Sequence, residues 1–445
     1  MELYIPGYVN KVLNRLEEAG FEAFIVGGCV RDLILNRIPN DYDVTTSATP
    51  DEIQEVFKNY KTLYVGKQFG TIVVIQSEGD IEVTTYRKEG KYIDGRRPSE
   101  VTFSRNIKED LSRRDFTINS IVYNKNTGII DPYNGIQDIE SRIIRAIGEP
   151  SERLNEDYLR ILRAVRFSTQ LDFSIDENTY IACEKLSDSI KYISAERIKD
   201  EIFKILLSER PSKGIRLMED MGLLNYVIPE LVETIDFDQK NPHHNRTLYE
   251  HILCVVDNTP PVLEIRMAAL LHDIAKPLTF SIDEKGVGHY FNHDKLGAEM
   301  SKDILTRLRC SKNFTDIVST LVREHMHHSN MKEKGLKRQL RRVGKENIFD
   351  LFELKKADMK CKNGNKDVSV LDEKIRRIEK ILKDHEPYEK SHLKINGDDI
   401  IALGFPKGKQ IGEILDYLTD KVIDHPEYND KKKLIELIKG KYKIN

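Results

Sequence analysis

The sequence predicts an α+β protein, with a small mixed β-sheet in an N-terminal head and an all-helical remainder. Two β-rich runs, GTIVVIQ (70–76) and DIEVTTY (80–86), are separated by the short segment SEG, which is typical of a hairpin. From residue 154 to the C-terminus, nearly every patterned segment has the helical period, with breaks at Arg210-Pro211, 259–261 and 386–387. The head is therefore the only β-rich part of the chain.

Shorter patterns give the elements that precede this hairpin. Residues 9–18 are amphipathic with helical spacing, and residues 22–26, which contain the apolar run 23–26, predict a strand. Residues 41–45 predict a second strand, and residues 50–58 predict a helix that starts near Thr49.

Composition narrows the class of protein. A chain of 445 residues is too long for one core, so we expect two to four domains. The net charge of −3 gives no global nucleic-acid signal. The five cysteines never form a CxxC pair, which indicates reduced thiols and a cytoplasmic protein. The start MELYIPGYVNK lacks a secretory segment, and no apolar run reaches the roughly 20 residues of a membrane span, so we expect no membrane partner.

Two aspartates in residues 21–50 predict a metal site. In a strand, alternation puts Asp41 and Asp43 on one face and Tyr42 on the other. Such a pair can hold two Mg²⁺ ions, which activate an attacking 3′-hydroxyl and stabilise a pyrophosphate leaving group. Glu82 is a candidate third ligand because it alternates with Ile81 and Val83, although a solvated strand glutamate fits the same pattern.

A glycine turn lies beside these aspartates. Gly27 and Gly28 would let backbone N–H groups approach a triphosphate, and Arg31 would add a charge-assisted contact. The pattern therefore indicates nucleotide transfer. A plain strand–turn–helix with a polar loop is the alternative.

Further motifs carry a family resemblance. LSRRDFTINSI (111–121), EDYLRILRAVRF (156–167) and SAERIKDEIFKIL (194–206) follow GGCVRD and DYD in order. This set resembles the class II tRNA nucleotidyltransferases, the CCA-adding family that also contains bacterial poly(A) polymerases. The resemblance implies template-independent addition of CCA to the 3′ end of tRNA from CTP and ATP by metal-ion catalysis.

EDYLRILRAVRF suggests how bases are chosen. On one helix, Asp157 and Arg160 would be neighbours, offering an acceptor beside a donor. Cytosine and adenine present the complementary order, whereas uracil and guanine present the reverse and would leave buried groups unpaired. The resemblance assigns the same template role to these two side chains. Arg163 and Arg166 suit phosphate contacts, and a salt-bridged helix face is the alternative for the whole set.

The resemblance also places Arg113, Arg114 and Asp115 near the incoming nucleotide. The residues alone do not choose between the two arginines, and we favour Arg114 because it adjoins the aspartate. Residues 86–103 carry five basic residues and two glycines, and they resemble the flexible loop of enzymes that add the terminal A. A basic loop that only contacts RNA phosphate is the alternative.

The helical half holds a second constellation that resembles the HD superfamily of metal-dependent phosphohydrolases. Its expected ligands are His251, His272, Asp273 and Asp358, and His293 and His325 lie between them. Imidazoles and carboxylates suit Mg²⁺, Mn²⁺ or Ni²⁺, and the bound water would be the nucleophile. Trimming a 3′-phosphate or 2′,3′-cyclic phosphate would restore the hydroxyl that the head requires. A helical fold without metal is the alternative.

Four regions follow from these assignments. We expect a catalytic head (1–145), a helical neck that recognises nucleotides and binds RNA (146–235), an HD domain (236–365) and a helical tRNA-binding tail (366–445). In the tail, NGDD and FPKGKQ each precede a helical pattern, so helix N-termini with Lys407 and Lys409 could receive RNA phosphates. The competing functions are an A-adding enzyme or poly(A) polymerase, an RNA-end-repair phosphohydrolase, and a non-catalytic tRNA-binding protein.

Overall fold

A computed structural model describes residues 2–64, 70–90, 100–240, 246–326, 331–362 and 367–442. The chain separates into two compact units, Met1–Pro229 and Glu230–Asn445. The first unit contains a seven-stranded mixed sheet together with helices, and the second is mainly helical, so the predicted α+β class is confirmed.

The strands of the first unit lie between residues 23 and 175. They are β1 (Ala23–Val26), β2 (Asp43–Thr46), β3 (Lys61–Tyr64), β4 (Thr71–Ile75), β5 (Ile81–Thr85), β6 (Arg87–Glu89), β7 (Val101–Phe103), β8 (Val122–Asn124), β9 (Gly128–Ile130), β10 (Ile143–Ile144) and β11 (Ser174–Ile175). The large sheet has the order β3-β4-β5-β2-β1-β8-β9. Its neighbours are antiparallel except for β2 and β5, which are parallel, and β4 pairs with β5 as the predicted hairpin.

Helices of the first unit begin before the sheet and continue beyond it. They are α1 (Gly7–Glu18), α2 (Gly28–Ile34), α3 (Pro50–Val56), α4 (Ile107–Ser112), α5 (Gly135–Ser141), α6 (Pro150–Glu156), α7 (Leu159–Leu171), α8 (Glu177–Lys185), α9 (Ala195–Leu206), α10 (Pro211–Asp220) and α11 (Leu224–Val227). The helix α12 (Pro229–Val232) spans the boundary between the units.

Local chemistry explains where these elements start. Thr49 and Glu52 form a capping box at the start of α3, and Pro50 occupies its first turn, where a missing N–H costs nothing. Gly27 has a φ of 78°, a value that side chains disfavour, and it turns the chain from β1 into α2. The predicted strand at 41–45 is observed as Asp43–Thr46, so Asp41 lies just before it.

The second unit is built from helices and one small hairpin. Its elements after α12 are α13 (Leu248–Asp257), α14 (Leu263–Leu271), β12 (Phe280–Ile282), β13 (Gly288–Tyr290), α15 (His293–Arg307), α16 (Lys312–Glu324), α17 (Glu333–Val343), α18 (Ile348–Cys361), α19 (Ser369–Lys383), α20 (Gly397–Ala402), α21 (Lys409–Asp424) and α22 (Lys431–Tyr442). The helices predicted after NGDD and FPKGKQ are α20 and α21. Among the described residues, no helix combines the length and apolar character that crossing a membrane would need.

A disulfide corrects the prediction that all cysteines are reduced. Cys254 and Cys361 are joined although 107 residues separate them, because α13 and α18 pack together. Cys29, Cys183 and Cys310 form no disulfide bond. The long separation leaves no spacing signal in the sequence from which the pair could have been read.

Candidate functional site

Three carboxylates share the solvent side of the sheet. Asp43 on β2 is directly paired with Glu82 on β5, and Asp41, Asp43 and Glu82 are exposed while Tyr42 is buried. The alternation predicted for Asp41, Tyr42 and Asp43 is therefore observed. These carboxylates are not among the described groups in which three ligand atoms lie within 4.8 Å of one another.

Asp43 is the electrostatic centre of this set. Desolvation raises its pKa to about 6, and repulsion by Asp41 and Glu82 acts in the same direction while Arg114 opposes it. Part of the Asp43 surface remains exposed, so a ligand can reach the carboxylate from solvent. Concentrated negative charge of this kind fits a divalent cation bound by oxygen ligands.

The glycine turn lies beside two arginines. A Cβ at Gly27 would stand 3.2 Å from Nη1 of Arg114, and one at Gly28 would stand 3.6 Å from Nη2 of Arg31. Arg31 is buried and donates to Asp32 and to Asn119. The helix α2 is short, with only seven residues. The features that suit a triphosphate here are therefore the arginine side chains and the Gly27 backbone, rather than the helix N-terminus.

The two arginines of RRD have different surroundings. Arg113 donates to Asp110 at 2.6 Å and to Glu89 at 3.3 Å. Arg114 donates to the other oxygen of Asp110 at 3.2 Å, lies beside Gly27, and its charge acts on Asp43. Arg114 is therefore the arginine placed toward the head carboxylates.

Asp115 and Arg163 are bound to each other. Arg163 donates to Asp115 through Nε at 2.7 Å, and Asn119 donates to the other oxygen of Asp115 at 3.1 Å. Asp115 is buried, which opposes ionisation, but Arg163 and Asn119 outweigh burial and hold its pKa below its ordinary value. The pair fastens α7 to the segment that carries RRD.

The base-reading motif is not one continuous helix. Asp157 has an extended conformation between α6 and α7, and it accepts a hydrogen bond from the backbone N–H of Leu159. The expectation that Asp157 and Arg160 lie on one helix is therefore wrong, because Asp157 precedes α7 and accepts from the first backbone N–H of that helix. Arg197 donates to both oxygens of Asp157, at 3.2 and 2.7 Å.

Arg160 and Arg166 are buried cations with protein partners. Arg160 donates to the carboxylate of Glu156 and to the backbone carbonyl of Arg113, the latter at 2.9 Å. Arg166 pairs with Glu201 at 2.9 Å, and burial lowers its pKa to about 10 despite that partner. Sequence reasoning missed Arg197 and Glu201, although both belong to the SAERIKDEIFKIL motif.

A buried cluster in the second unit collects the predicted HD residues. His251 on α13 and His272 after α14 have their Nε2 atoms 3.5 and 3.1 Å from Oδ2 of Asp273. Asp358 on α18 places Oδ1 3.1 Å from Nε2 of His251. His272 Nε2 and Asp358 Oδ1 are buried and make no hydrogen bond within the described residues, so both can accept a metal ion.

Two more histidines join this cluster. His293 at the start of α15 and His325 after α16 lie 3.4 and 3.6 Å from Oδ1 of Asp273. The sequence shows both histidines, but their proximity follows only from the packing of α15 against α16. Ligand atoms of His251, His272 and Asp273, and separately those of Asp273, His293 and His325, lie within 4.8 Å of one another.

Charges in the cluster are balanced by neighbouring cations. Burial opposes ionisation of Asp273 and Asp358, but His272 and Lys276 near the first and Lys362 near the second hold both pKa values well below the ordinary range. The lysine amines lie 2.7 Å from Asp273 and 2.5 Å from Asp358. Burial lowers the pKa of His325 to about 4, so its imidazole is neutral at pH 7.

The basic run GLKRQLRR on α17 is paired within the second unit. Arg338 binds Asp424 at 2.8 Å, Arg341 binds Asp416, and Arg342 binds Glu324 at 2.6 Å. These arginines connect α17 with α21 and α16. Part of their charge is therefore already engaged by protein carboxylates.

Family models cover much of the chain. One described as "Poly A polymerase head domain" matches residues 23–145, and one described as "Probable RNA and SrmB- binding site of polymerase A" matches residues 172–234. A third, "tRNA nucleotidyltransferase domain 2 putative", matches residues 291–438. The third match includes Asp358 but not His251, His272 or Asp273.

Relatives of known activity match nearly the whole chain. A CCA-adding enzyme of Streptococcus thermophilus is 30% identical over 444 residues, covering 98% of this chain and 98% of the relative. The chain belongs to the CCA-adding enzyme family. A second member, from Pediococcus pentosaceus, is 48% identical over 215 residues, which is 48% of this chain and 54% of the relative.

Solved structures agree with this membership. The CCA-adding enzyme of Bacillus stearothermophilus in complex with CTP has a TM-score of 0.74 and 26% identity, covering 98% of both chains. The Thermotoga maritima CCA-adding enzyme complexed with tRNA has a TM-score of 0.57 and covers 99% of this chain. At 21% identity, that second likeness shows the fold. As a member of this family the chain is a tRNA nucleotidyltransferase.

Proposed function

We propose that Asp41 and Asp43 form the catalytic centre with which this chain adds CCA to the 3′ end of tRNA from CTP and ATP. The observation that carries the assignment is the pairing of Asp43 with Glu82, with Asp41 on the same solvent side. Together these carboxylates would hold Mg²⁺, and Glu82 is the third ligand. The bound ions would lower the pKa of the 3′-hydroxyl and stabilise the charge on pyrophosphate.

The chain's own groups position the reactants. Arg114 and Arg31, beside Gly27 and Gly28, bind the triphosphate oxygens and orient the α-phosphorus. The 3′-hydroxyl of the RNA loses its proton to solvent, and its oxygen forms a bond to that phosphorus. The bond from the α-phosphorus to the oxygen that it shares with the β-phosphate breaks, and pyrophosphate leaves with that oxygen, its negative charge beside the two arginines. Arg113 supports Asp110, which holds Arg114 in place.

Base selection belongs to Asp157 and Arg160. Arg197 binds both oxygens of Asp157 and so fixes the plane in which that acceptor meets the amino group of cytosine or adenine. Glu156 accepts one hydrogen bond from Nη1 of Arg160 and so restrains its guanidinium. A uracil or guanine would bring acceptor to acceptor and leave buried groups unpaired, at about 1–3 kcal/mol for each group. Asp115, Arg163 and Arg166 hold α7 at the nucleotide site, with the exposed part of Arg163 available for phosphate.

The regions proposed for these tasks are a head (1–145), a neck (146–235), an HD domain (236–365) and a tRNA-binding tail (366–445). The loop at 86–103 is proposed to change the nucleotide pocket from binding C to binding A. Its ends form the hairpin of β6 and β7, and residues 91–99 lie outside the described residues. We place the protein in the cytoplasm, where tRNA and nucleoside triphosphates are available.

One experiment separates CCA addition from A-only addition or poly(A) synthesis. The purified chain is incubated with tRNA transcripts that lack CCA, CA or only the final A, each with labelled CTP or ATP. We expect two C additions followed by one A, and no growth beyond the complete end. Incorporation of A alone, or a long A tail, would overturn the CCA assignment.

A second function is favoured by the buried cluster of the second unit. His251, His272, Asp273 and Asp358 converge, and two of their buried atoms are without hydrogen-bond partners among the described residues. We propose that this cluster binds a divalent metal and removes 3′-phosphate or 2′,3′-cyclic phosphate from RNA ends. His272→Ala should abolish that hydrolysis and leave nucleotide addition within about twofold, whereas absence of hydrolysis in the wild type would reject the proposal.

A further inference from the structure

The tyrosine that follows Asp157 in the chain packs against a second tyrosine at the surface. The ring centroids of Tyr158 and Tyr192 lie 6.2 Å apart, with an angle of 37° between the ring planes. Tyr192 ends the 3₁₀ helix Ser187–Tyr192 and keeps 65% of its surface exposed, whereas Tyr158 is partly buried. The inner ring therefore supports an outer ring that is largely open to solvent.

One segment of the chain contacts both residues of the Asp157–Tyr158 dipeptide. Arg197, in the first turn of α9, donates to both oxygens of Asp157 at 3.2 and 2.7 Å. Tyr192 lies just before α9 and contacts Tyr158. The exposed ring is therefore held in a defined place relative to the carboxylate to which we assign base reading, as a group that positions a substrate must be.

A cation lies beside the exposed ring. Nζ of Lys191 is 5.2 Å from the centroid of the Tyr192 ring and 2.9 Å from a carboxylate oxygen of Asp188. About half of each side chain of this ion pair is exposed, and exposed pairs bind weakly, so the ammonium can also serve another anion. An aromatic face with a cation at its side suits single-stranded nucleic acid, which offers bases for stacking and phosphates for the cation.

The reaction explains why a stacking surface is useful at this place. The terminal base of the RNA must lie next to the incoming nucleotide at each of the three additions, but its identity changes, from the last base of the unfinished tRNA to C and then to C again. Hydrogen bonds to base edges discriminate between bases, whereas every base has a π-face. The incoming base is therefore suited to recognition by its edge, and the terminal RNA base to recognition by its face.

We propose that Tyr192, supported by Tyr158, stacks the 3′-terminal base of the RNA and thereby positions the attacking 3′-hydroxyl. Lys191 contacts the phosphate of the same nucleotide. This inference rests on the base-selection site proposed above and adds to it a positioning residue for the RNA end. Tyr192 acts through the RNA base and touches none of the reacting atoms.

An RNA that lacks its terminal base tests the stack. Full-length wild type, Tyr192→Ala and Tyr192→Phe extend tRNAs that end in the first C, with the base of that C present or removed, using CTP. With the base present, Tyr192→Ala should raise KM for the RNA by about 5- to 150-fold, which corresponds to one stacked base. The values of kcat and of KM for CTP should stay within about twofold, because the stack forms on RNA binding and persists in the transition state.

Two variants serve as controls for this effect. Tyr192→Phe keeps the aromatic ring and should match the wild type. Tyr4→Ala removes another exposed tyrosine of the first unit, and it should also match the wild type. A loss in Tyr192→Phe as large as that in Tyr192→Ala would assign the effect to the hydroxyl group and overturn the stacking proposal.

The abasic RNA gives the decisive comparison. On this RNA the wild type should show the same rise in KM, and Tyr192→Ala should lose little more, because ring and base contribute only together. An equal loss for Tyr192→Ala on both RNAs would show that the ring only supports its neighbours, and it would overturn the proposal. A rise in KM for CTP in place of the RNA would assign the ring to the incoming nucleotide and would overturn it as well.

Base selectivity separates this inference from the proposal on which it rests. Tyr192→Ala should misincorporate UTP and GTP no more often than the wild type. Full selectivity in Asp157→Ala would reject the base-selection site, whereas the dependence of Tyr192 on the terminal RNA base would still be observed. Loss of selectivity in Asp157→Ala together with additive effects of Tyr192→Ala and the abasic end would reject the stacking role alone.

Discussion

The carboxylates of the head and those of the buried cluster have opposite electrostatic surroundings. Desolvation of Asp43 and repulsion by two neighbouring acids raise its pKa, although part of its surface remains exposed. Asp273 and Asp358 are buried, but each has a lysine amine within 2.7 Å, and their pKa values are lowered. One region concentrates unneutralised negative charge in contact with solvent, and the other neutralises its charge within the protein.

This difference fits two modes of metal use. Mg²⁺ commonly binds through one or two carboxylates together with the phosphates of a substrate, so an open acidic site can acquire its ion with each incoming nucleotide. The buried carboxylates of the cluster are paired with lysine amines at all times, so the cluster keeps its charge balance without an incoming substrate. The predictions below test this distinction, from the largest expected effect to the smallest.

Removing one charge from the head should have the largest consequence. Asp43→Asn is expected to slow nucleotide addition by about 10³-fold, roughly 4 kcal/mol in activation free energy, because metal binding in the transition state is lost. Affinity for tRNA, measured by filter binding, should stay within about threefold. Metal retained by the cluster should not change. A rate within tenfold of wild type would remove Asp43 from the catalytic centre.

The second unit should depend on its disulfide for stability. Cys254 and Cys361 follow His251 and Asp358 by three residues on α13 and α18, so the bond joins two helices that supply the cluster. Closing a loop of this length stabilises a fold by roughly 2–5 kcal/mol. Cys254→Ser should lower the free energy of unfolding of this unit by that amount in urea denaturation. Nucleotide addition under native conditions should be unaffected.

Two controls make the disulfide test specific. Cys310→Ser alters a cysteine of the same unit that forms no disulfide bond, and it should leave the urea midpoint unchanged. A reductant should shift the wild-type midpoint as far as Cys254→Ser does and should not shift the variant further. Equal midpoints for reduced and oxidised wild type would contradict the expected stabilisation.

Base choice should also depend on Arg197, which the sequence motifs did not identify. Arg197→Ala frees the carboxylate of Asp157, so discrimination for C and A over U and G should fall by about 5- to 150-fold, corresponding to about 1–3 kcal/mol. Lys199→Ala changes a cation on the same helix that pairs with Asp200, and it should retain selectivity. Misincorporation of UTP and GTP measures the ratio. Unchanged selectivity with a lower rate would assign Arg197 a structural role only.

What the sequence could predict depended on how local the determining contacts are. Strand alternation correctly put Asp41 and Asp43 opposite Tyr42, because that pattern lies within three residues. The pairing of Asp43 with Glu82 needs β2 and β5 to be parallel neighbours, which no local pattern specifies. The helical period wrongly placed Asp157 on the same helix as Arg160. The side chain of Asp157 instead accepts a hydrogen bond from the backbone N–H of Leu159, and the helix is interrupted there.

Mutual repulsion in the head should be measurable as a small shift in one titration. Unfolded, Asp43 should titrate near its ordinary pKa of 3.8, and folded at about 6, so the folded state binds the proton more tightly. The stability that this protonation contributes is therefore present at low pH and is lost as the pH rises through 6.

Glu82→Gln removes one repelling charge and should lower the pKa of Asp43 by less than about one unit. Carboxyl ¹³C resonances of the metal-free protein, with the Asp43 signal identified from its absence in Asp43→Asn, give the value directly. Glu78→Gln, which changes an exposed glutamate between β4 and β5, should leave it unchanged. If Glu82→Gln raised or did not alter the pKa, repulsion by Glu82 would not be part of the site, and desolvation alone would distinguish Asp43 from the paired carboxylates of the second unit.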